Sequence, residues 1–428
     1  MNTKTHFLGI GGIGMSALAH ILLEKGEKVS GSDQSQTPVL RALEDKGAVI
    51  SDEIDPQSQV VFSSAIKKGH PLLEQAKKLG CPLYHRSQFL EKLMAEQTPL
   101  LISGTHGKTS TSGLLTWVFL TAGLSPSYAV GGILKNTEQN GGYGKSKWFI
   151  AEADESDGSF LNYRGEAAIL TNLEVEHLDF WENEEKLIEG FRQFATQVKT
   201  VIWCRDDPLL TSLDLGGISY GLSNKAAWQL QSVCQEGMQL CFAIAHEEKR
   251  YENIVLPQVG RHQALNACAV WALAMTYGVS EDVLRKAFQT FKGVKRRLEK
   301  KGESKGIVVY DDYAHHPTEV KALLTSLKQA IGMRRLVAIF QPHRYTRTRD
   351  CMQEFTTAFE AADEVHITDI YSAGETPIEG ITGEKLSQQI SGSIYWKTFP
   401  TFQEGDVVVT IGAGDITYLG PKILESLT

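Results

Sequence analysis

Gly9-Ile-Gly11-Gly-Ile-Gly14 and Ser103-Gly-Thr-His-Gly-Lys-Thr-Ser110 are the two segments whose residue types and spacing most directly suit chemistry. The first fits GxGxxG, with Asp33 about 20 residues farther on. Glycines let a backbone close on a diphosphate. The helix N-terminus behind them offers unpaired N–H groups and about half a positive charge. Gly11, Gly12, Ile13 and Gly14 are therefore candidate contacts. The pattern alone does not separate a nicotinamide dinucleotide, whose ribose Asp33 would hold, from another diphosphate ligand. The second segment is close to a P-loop, but Ile102 stands where GxxxxGK[ST] has its first glycine. Gly104 and Gly107 expose backbone amides, Lys108 reaches β- and γ-phosphates, and Thr109 helps hold Mg2+. An oxidoreductase needs only the first turn and a simple NTPase only the second. Both together suggest ATP acting on a second, diphosphate-bearing ligand.

Acidic residues follow at a predicted strand end. Ala151–Gly158 carries four carboxylates in six residues, from Glu152 to Asp157. Mg2+ is hard and takes carboxylates, hydroxyls and water, and Glu152, at the strand terminus, is the best placed of the four. His177 beside Glu176 is either a second metal ligand or a structural histidine. His262 and Asn266 are four apart, on one helical face. They contact a base, or they cap and pack the helix.

These residues need elements to hold them. Thr5–Ile10, Lys28–Ser30 and Val60–Ser63 read as strands, with helical patterns over Met15–Glu24 and Pro71–Leu79, a doubly wound α/β arrangement. A boundary is expected near Glu96–Pro99. Beyond it come strands at Leu100–Ser103, Trp148–Ala151, Ala168–Thr171 and Val201–Cys204, helices at Leu114–Leu120 and Gln263–Tyr277, and a small antiparallel excursion over Gly216–Leu256. Residues 292–306, KGVKRRLEKKGESKG, are charged and contain three glycines, which suits a linker or exposed hinge. Strands over Ile307–Tyr310, Arg335–Phe340, Glu364–Thr368 and Asp406–Ile411 then mark a third α/β unit.

Composition bounds the class. At roughly 100–200 residues per domain, 428 residues hold about three domains. Basic residues number 43 and acidic 51, a net charge of −8 that argues against nonspecific nucleic-acid binding. The six cysteines include no CxxC spacing, so free thiols in a reducing compartment are expected and a zinc site is not. No apolar run reaches 18 residues and the start lacks a signal-peptide core, so no membrane span is expected and the chain reads as cytoplasmic. A homo-oligomer is left open.

GTHGKTS, AEADESDGSF, TNLEVEHLD, GRHQALN, DDYAHHPTE and FQPHRYTRT, in this order, resemble the Mur ligases, the ATP-dependent amino-acid ligases of peptidoglycan synthesis. The resemblance runs from Gly9 to about Gly414. With GIGGIGMSALA it points to the branch that joins L-alanine to the carboxylate of UDP-N-acetylmuramate through an acyl phosphate. It implies three domains: a Rossmann-like N-terminal domain over 1–97 for the UDP sugar, a central P-loop-type ATPase domain over 98–296, and a Rossmann-like C-terminal domain over 297–428 for the amino acid. It reassigns Gly11, Gly12, Ile13, Gly14, Asp33 and Ser64 to the UDP substrate. It gives the ATP site Gly104, Thr105, Gly107, Lys108, Thr109, Ser110, His262, Asn266, Arg297 and Asp312, with Mg2+ on Thr109, Glu152 and His177. Tyr313, His315, Arg344 and Arg347 would receive alanine, where a bidentate guanidinium suits a carboxylate. Lys108, His177, Arg297 and His315 would be the catalytic set, His315 by orienting or deprotonating the ammonium. Gln263 departs from the usual His-Asn pair. The stretch Gly190–Thr196 lacks the lysine that other branches carbamylate, which fits the alanine-adding branch.

Overall fold

The computed structural model of the chain describes residues 4–34 and 37–427. They form two compact units. The first runs to Gln231 and adds Ala243–Glu252 and Leu265–Lys292; the second takes Ser232–Phe242, Asn253–Ala264 and the chain from Gly293 on. The boundary expected near Glu96–Pro99 lies inside the first unit.

The first sheet contains β1 (Lys4–Leu8), β2 (Lys28–Ser32), β3 (Val49–Ile50), β4 (Gln59–Phe62) and β5 (Leu83–His85), in the order β3-β2-β1-β4-β5. All neighbours pair in parallel. The order reverses direction at β1 and β4, and in such sheets ligands bind beyond the carboxyl ends of the strands at that point. The Gly9–Gly14 loop leaves the carboxyl end of β1. It leads into the helix Ile13–Glu24, two residues earlier than its apolar face predicts.

The second sheet takes ten strands: β6 (Thr98–Ser103), β7 (Ser127–Leu134), β8 (Gln139–Gly142), β9 (Trp148–Glu152), β10 (Gly165–Leu170), β11 (Val198–Cys204), β12 (Ile218–Gly221), β13 (Trp228–Glu236), β14 (Gln239–His246) and β15 (Lys249–Leu256). Their order is β15-β14-β13-β12-β11-β10-β6-β9-β7-β8. β6 lies between β9 and β10 and is parallel to both. Its neighbours' carboxyl ends therefore deliver the acidic segment after β9 and the Thr171–His177 segment after β10 to the loop after β6. The excursion expected over Gly216–Leu256 joins this sheet: β12 follows β11 and β13 follows β12 in parallel, while the two-residue turns between β13, β14 and β15 make that end antiparallel, as expected.

The third sheet lies in the second unit: β16 (Glu299–Ser304), β17 (Ile307–Asp312), β18 (Leu336–Phe340), β19 (Glu364–Ile367), β20 (Ile394–Tyr395) and β21 (Val407–Ile411), ordered β16-β17-β21-β18-β19-β20. β17, β18 and β21 are buried along their whole length, as parallel strands covered on both faces must be. Part of the expected linker is β16, an edge strand antiparallel to β17. Its charges are those by which an edge strand resists further pairing. Among the described residues no helix is long and apolar enough to cross a membrane. All six cysteines are free.

Candidate functional site

The loop after β6 is shaped by two glycines. Gly104 has φ +125° and Gly107 φ +82°, both in the left-handed region that a Cβ disfavours. Gly107 caps the helix Lys108–Thr121, which starts with Lys108, Thr109 and Ser110. The end of β10 holds the loop from outside. Thr171 Oγ1 donates to the His106 carbonyl at 2.6 Å, the His106 amide donates to Asn172 Oδ1 at 2.8 Å, and the Glu174 amide donates to Thr105 Oγ1 at 2.8 Å. Asn266 is buried against Gly107, where an added Cβ would lie 3.0 Å from its Nδ2. The TNLEVEH and GRHQALN segments thus shape the loop through Asn172 and Asn266.

Lys108 folds back across this loop. Its Nζ donates to the Gly104 carbonyl at 2.7 Å and to both oxygens of Glu155, at 3.0 and 2.8 Å. Asp154 lies 3.7 Å away. Burial works against the lysine charge, but Glu155, Asp154 and Glu152 outweigh it and hold Lys108 cationic, above its ordinary range. Burial pushes the Glu155 carboxyl up. Lys108 is thus a desolvated cation folded over a glycine-shaped turn, held there by carboxylates. Glu155, its main partner, was not singled out from the sequence.

Thr109 and Glu152 are brought together as expected. Thr109 Oγ1 donates to Glu152 Oε2 at 3.3 Å, while Ser112 Oγ and the Gly131 amide donate to Oε1 at 2.8 and 2.7 Å. A hydroxyl and an oriented carboxylate beside this glycine turn form an oxygen donor set that fits a hard divalent cation. His177 caps the short helix Leu178–Trp181 with φ +59°, and its Nε2 lies 3.8 Å from Glu176.

The first loop closes on itself. The Gly9 and Ile10 amides donate to the Ser32 carbonyl at 2.8 and 3.0 Å, and the Gly11 amide donates to Asp33 Oδ2 at 2.9 Å. Asp33 thereby braces the turn. Gly14 faces Arg86, where an added Cβ would lie 3.1 Å from its Cδ. Arg86 places a cation beside the helix N-terminus, and nothing in its local sequence announced it. Ser64 Oγ contacts His85 Nε2 at 3.0 Å and donates to Asp157 Oδ2 at 3.1 Å. Asn140 from β8 is buried and donates to the Ile13 carbonyl at 2.6 Å and to Ser16 Oγ at 3.0 Å. One amide therefore anchors the first turn of this helix to the second sheet.

In the second unit the candidate residues gather beyond the carboxyl ends of β17 and β18. Arg296 and Arg297 both lie over the Tyr313 ring, at 4.7 and 5.2 Å. They then diverge. Arg296 Nη2 donates to the Gly412 and Gly414 carbonyls at 2.7 and 2.9 Å, binding the chain after β21. Arg297 stands beside Asp312. Burial pushes the Asp312 carboxyl up to about 6, against Arg297 and the Ala314 and Leu298 amides, which draw it down. Those amides donate to Asp312 at 2.8 and 2.7 Å. His315 Nδ1 lies 3.0 Å from the Tyr313 carbonyl and 3.4 Å from Glu319. Its ring centroid is 6.0 Å from His343, and His343 Nδ1 is 3.4 Å from Arg347 Nη1. Burial, and then His315, Arg347 and Arg344, drive His343 down to about 3, so it is neutral near pH 7. His343 thus lies between His315 and Arg347, and sequence reasoning passed it over. Arg344 Nε donates to Glu375 Oε1 at 2.6 Å. His262 is exposed and packs over Gly260.

Three family models match in succession: Mur ligase family, catalytic domain, over residues 4–98; Mur ligase middle domain over 102–274; and Mur ligase, glutamate ligase domain, over 296–414. A UDP-N-acetylmuramate–L-alanine ligase of Protochlamydia amoebophila is 43% identical over all of this chain and 99% of its own length. A bifunctional enzyme MurC/Ddl of Chlamydia caviae is 41% identical over 99% of this chain, which spans 55% of that enzyme. The crystal structure of a UDP-N-acetylmuramate-alanine ligase from Thermotoga maritima superposes with a TM-score of 0.88 at 27% identity, over 99% of this chain and 98% of that one. This three-domain α/β match removes the nicotinamide reading of Gly9–Gly14, and the use of Asp33 on the Gly11 amide agrees with that. The order of the loops, their places at strand ends and the full-length identity lead to one conclusion: the chain belongs to the Mur ligase family.

Proposed function

We propose that this chain is an ATP-dependent ligase that joins L-alanine to the carboxylate of UDP-N-acetylmuramate through an acyl phosphate, in cytoplasmic peptidoglycan precursor synthesis. The observation that carries the reading is the 43% identity to an L-alanine ligase along the whole chain. Segments 1–97, 98–296 and 297–428 take the UDP sugar, ATP and the amino acid in turn. Gly11, Gly12, Ile13 and Gly14 receive the diphosphate with Arg86, and Ser64 and Asp33 complete that site.

The chemical obstacle is one anion attacking another. A sugar carboxylate must approach the γ-phosphate and displace ADP, and the alanine amine then displaces phosphate from the acyl carbon. Lys108, held cationic by its carboxylates, exchanges Glu155 for the β- and γ-phosphates and stabilises charge on the transferring group. Amides at Gly104, Thr105 and Gly107 line the same turn, with Ser110 in the first helical turn and His262 and Asn266 toward the nucleoside. Arg297 supplies a second cation to the phosphates, and Asp312 meets the ribose. Mg2+ held by Thr109, Glu152 and His177 would neutralise triphosphate charge. Tyr313, Arg344 and Arg347 bind alanine, and His315 orients its ammonium or takes its proton. Holding the reactants in register supplies up to roughly 7–11 kcal/mol of the barrier.

Phosphate release measured with ATP, UDP-N-acetylmuramate and a panel of L-alanine, L-serine, glycine and a tripeptide tests the reading. Release that requires the sugar nucleotide and is fastest with alanine is expected. Release with the tripeptide alone would assign the chain to a peptide-adding ligase. The anchoring amide gives a second expectation. Asn140→Ala leaves the Ile13 carbonyl and Ser16 without their buried partner. It should raise KM for UDP-N-acetylmuramate roughly 5–10-fold, about 1 kcal/mol, with KM for ATP little changed. An equal rise in both would show that Asn140 supports the whole unit instead.

A further inference from the structure

Arg344 has a backbone conformation that few L-residues adopt, φ +71° and ψ +136°, at the start of the helix Tyr345–Asp350. Such a conformation persists where the surroundings over-determine it, and it clusters at functional positions. Here a neighbouring loop does so. The Tyr371 amide donates to the Pro342 carbonyl at 2.8 Å, and the Arg344 amide donates to the Tyr371 carbonyl at 2.9 Å. The His343 ring stacks on the Tyr371 ring at 5.6 Å. Ala373 and Gly374, at φ +49° and +85°, then turn the chain, and the Glu375 amide closes on the Ser372 carbonyl at 3.0 Å.

The turn delivers one carboxylate to three donors. Glu375 Oε1 accepts from Arg344 Nε at 2.6 Å and from Thr346 Oγ1 at 2.7 Å; Oε2 accepts from the Thr346 amide at 3.0 Å. Although burial opposes its charge, Thr346 and Arg344 hold the Glu375 carboxyl down at about 2, so it is an anion throughout the working range. A guanidinium anchored at Nε has lost rotation about its Cδ–Nε bond. Its plane, and the direction of its terminal nitrogens, are fixed. Bidentate recognition of a carboxylate depends on that direction.

We infer that Glu375 is a positioning residue that aims Arg344 at the carboxylate of the incoming amino acid, and so sets the affinity for that substrate. The inference rests on the ligase reading above. Glu375 touches no reacting atom; it acts through Arg344.

Steady-state kinetics of Glu375→Ala and Glu375→Gln test this. Both should raise KM for L-alanine, the alanine variant by tenfold or more, with KM for ATP and for UDP-N-acetylmuramate within twofold of the parent. Single-turnover ADP formation from ATP and UDP-N-acetylmuramate without amino acid should be unchanged, because Arg344 is not used in that step. A purely structural role predicts a different result: all three KM values and the single-turnover rate move together with the thermal midpoint. That outcome, or an unchanged KM for alanine, overturns the inference. Should Glu375→Ala fail to fold, Glu375→Gln carries the test, since it keeps the shape and one acceptor oxygen. A parent enzyme that releases phosphate without needing any amino acid would refute the ligase reading itself. A parent dependent on alanine whose Glu375 variants match it would refute only the role of Glu375.

Discussion

Lys108→Ala is expected to lower the rate of ADP formation by about 10³-fold, the equivalent of about 4 kcal/mol of transition-state stabilisation. Two consequences of the lost cation must be kept apart. The first is chemical: charge on the transferring phosphoryl group loses its nearest donor. The second is structural. Glu155 is 1% exposed and its two oxygens both face Lys108 Nζ. Removing one member of a buried pair costs about 3–5 kcal/mol, because the other charge is left uncompensated. Glu155 escapes part of that cost by taking up a proton, the direction in which burial already pushes it. The folded single variant then binds this proton more tightly than the unfolded chain does. Its added stability is present below about pH 4 and is lost as pH rises through the folded-state pKa. Lys108→Ala with Glu155→Gln removes the buried charge and should restore the thermal midpoint near neutral pH without restoring ADP formation. Phosphoryl transfer at near-parent rates in either variant would remove Lys108 from the phosphate site.

The two glycine turns proposed to hold anions are legible in the sequence because their constraints are local. A strand, a glycine that must take positive φ and a helix start follow one another within a dozen residues, at Gly9–Gly14 and again at Gly104–Lys108. The four carboxylates from Glu152 to Asp157 look alike in one dimension. Register decides between them. Glu152 pairs with Ile102 and turns toward Thr109, whereas Glu155 lies past the strand end, beneath Lys108. Arg296 and Arg297 are adjacent and chemically identical, yet a φ of +61° at Arg296 separates their paths, and only the chain after β21 shows where Arg296 goes. Asn140, Arg86 and Glu375 each act across long stretches of sequence on a turn they are not part of. No spacing rule points to such residues; only the folded sheets bring them in. The charged stretch before β17 looks like a linker in composition because an edge strand and a solvated loop share that composition.

Gly104→Ala should be as damaging to ATP use as loss of the lysine, for a different reason. Gly104 combines φ +125° with close neighbours. An added Cβ would lie 2.2 Å from Thr171 Oγ1, 2.8 Å from the Asn172 carbonyl oxygen and 3.0 Å from the Asn172 amide nitrogen. The Thr171 hydroxyl cannot simply rotate away, because it is donated to the His106 carbonyl at 2.6 Å. The Asn172 backbone cannot move without releasing the Thr105 amide, which donates to its carbonyl at 3.2 Å. Either the loop shifts outward from β10 or the end of β10 gives way. Backbone strain and overpacking each cost about 1–3 kcal/mol, so a loss of about 2–6 kcal/mol in folding stability is expected. The turn from Gly104 to Gly107 would then lose its shape, and ATP should cease to raise the thermal midpoint. Gly123→Ala is the control. Its φ is +71° but an added Cβ meets nothing within 4 Å, so only the backbone term applies, about 1 kcal/mol, and ATP should still stabilise the protein. Equal midpoint shifts for the two variants would mean that the contacts of Gly104 with Thr171 and Asn172 do not shape the loop, and with it the account of how β10 holds the triphosphate turn would fall.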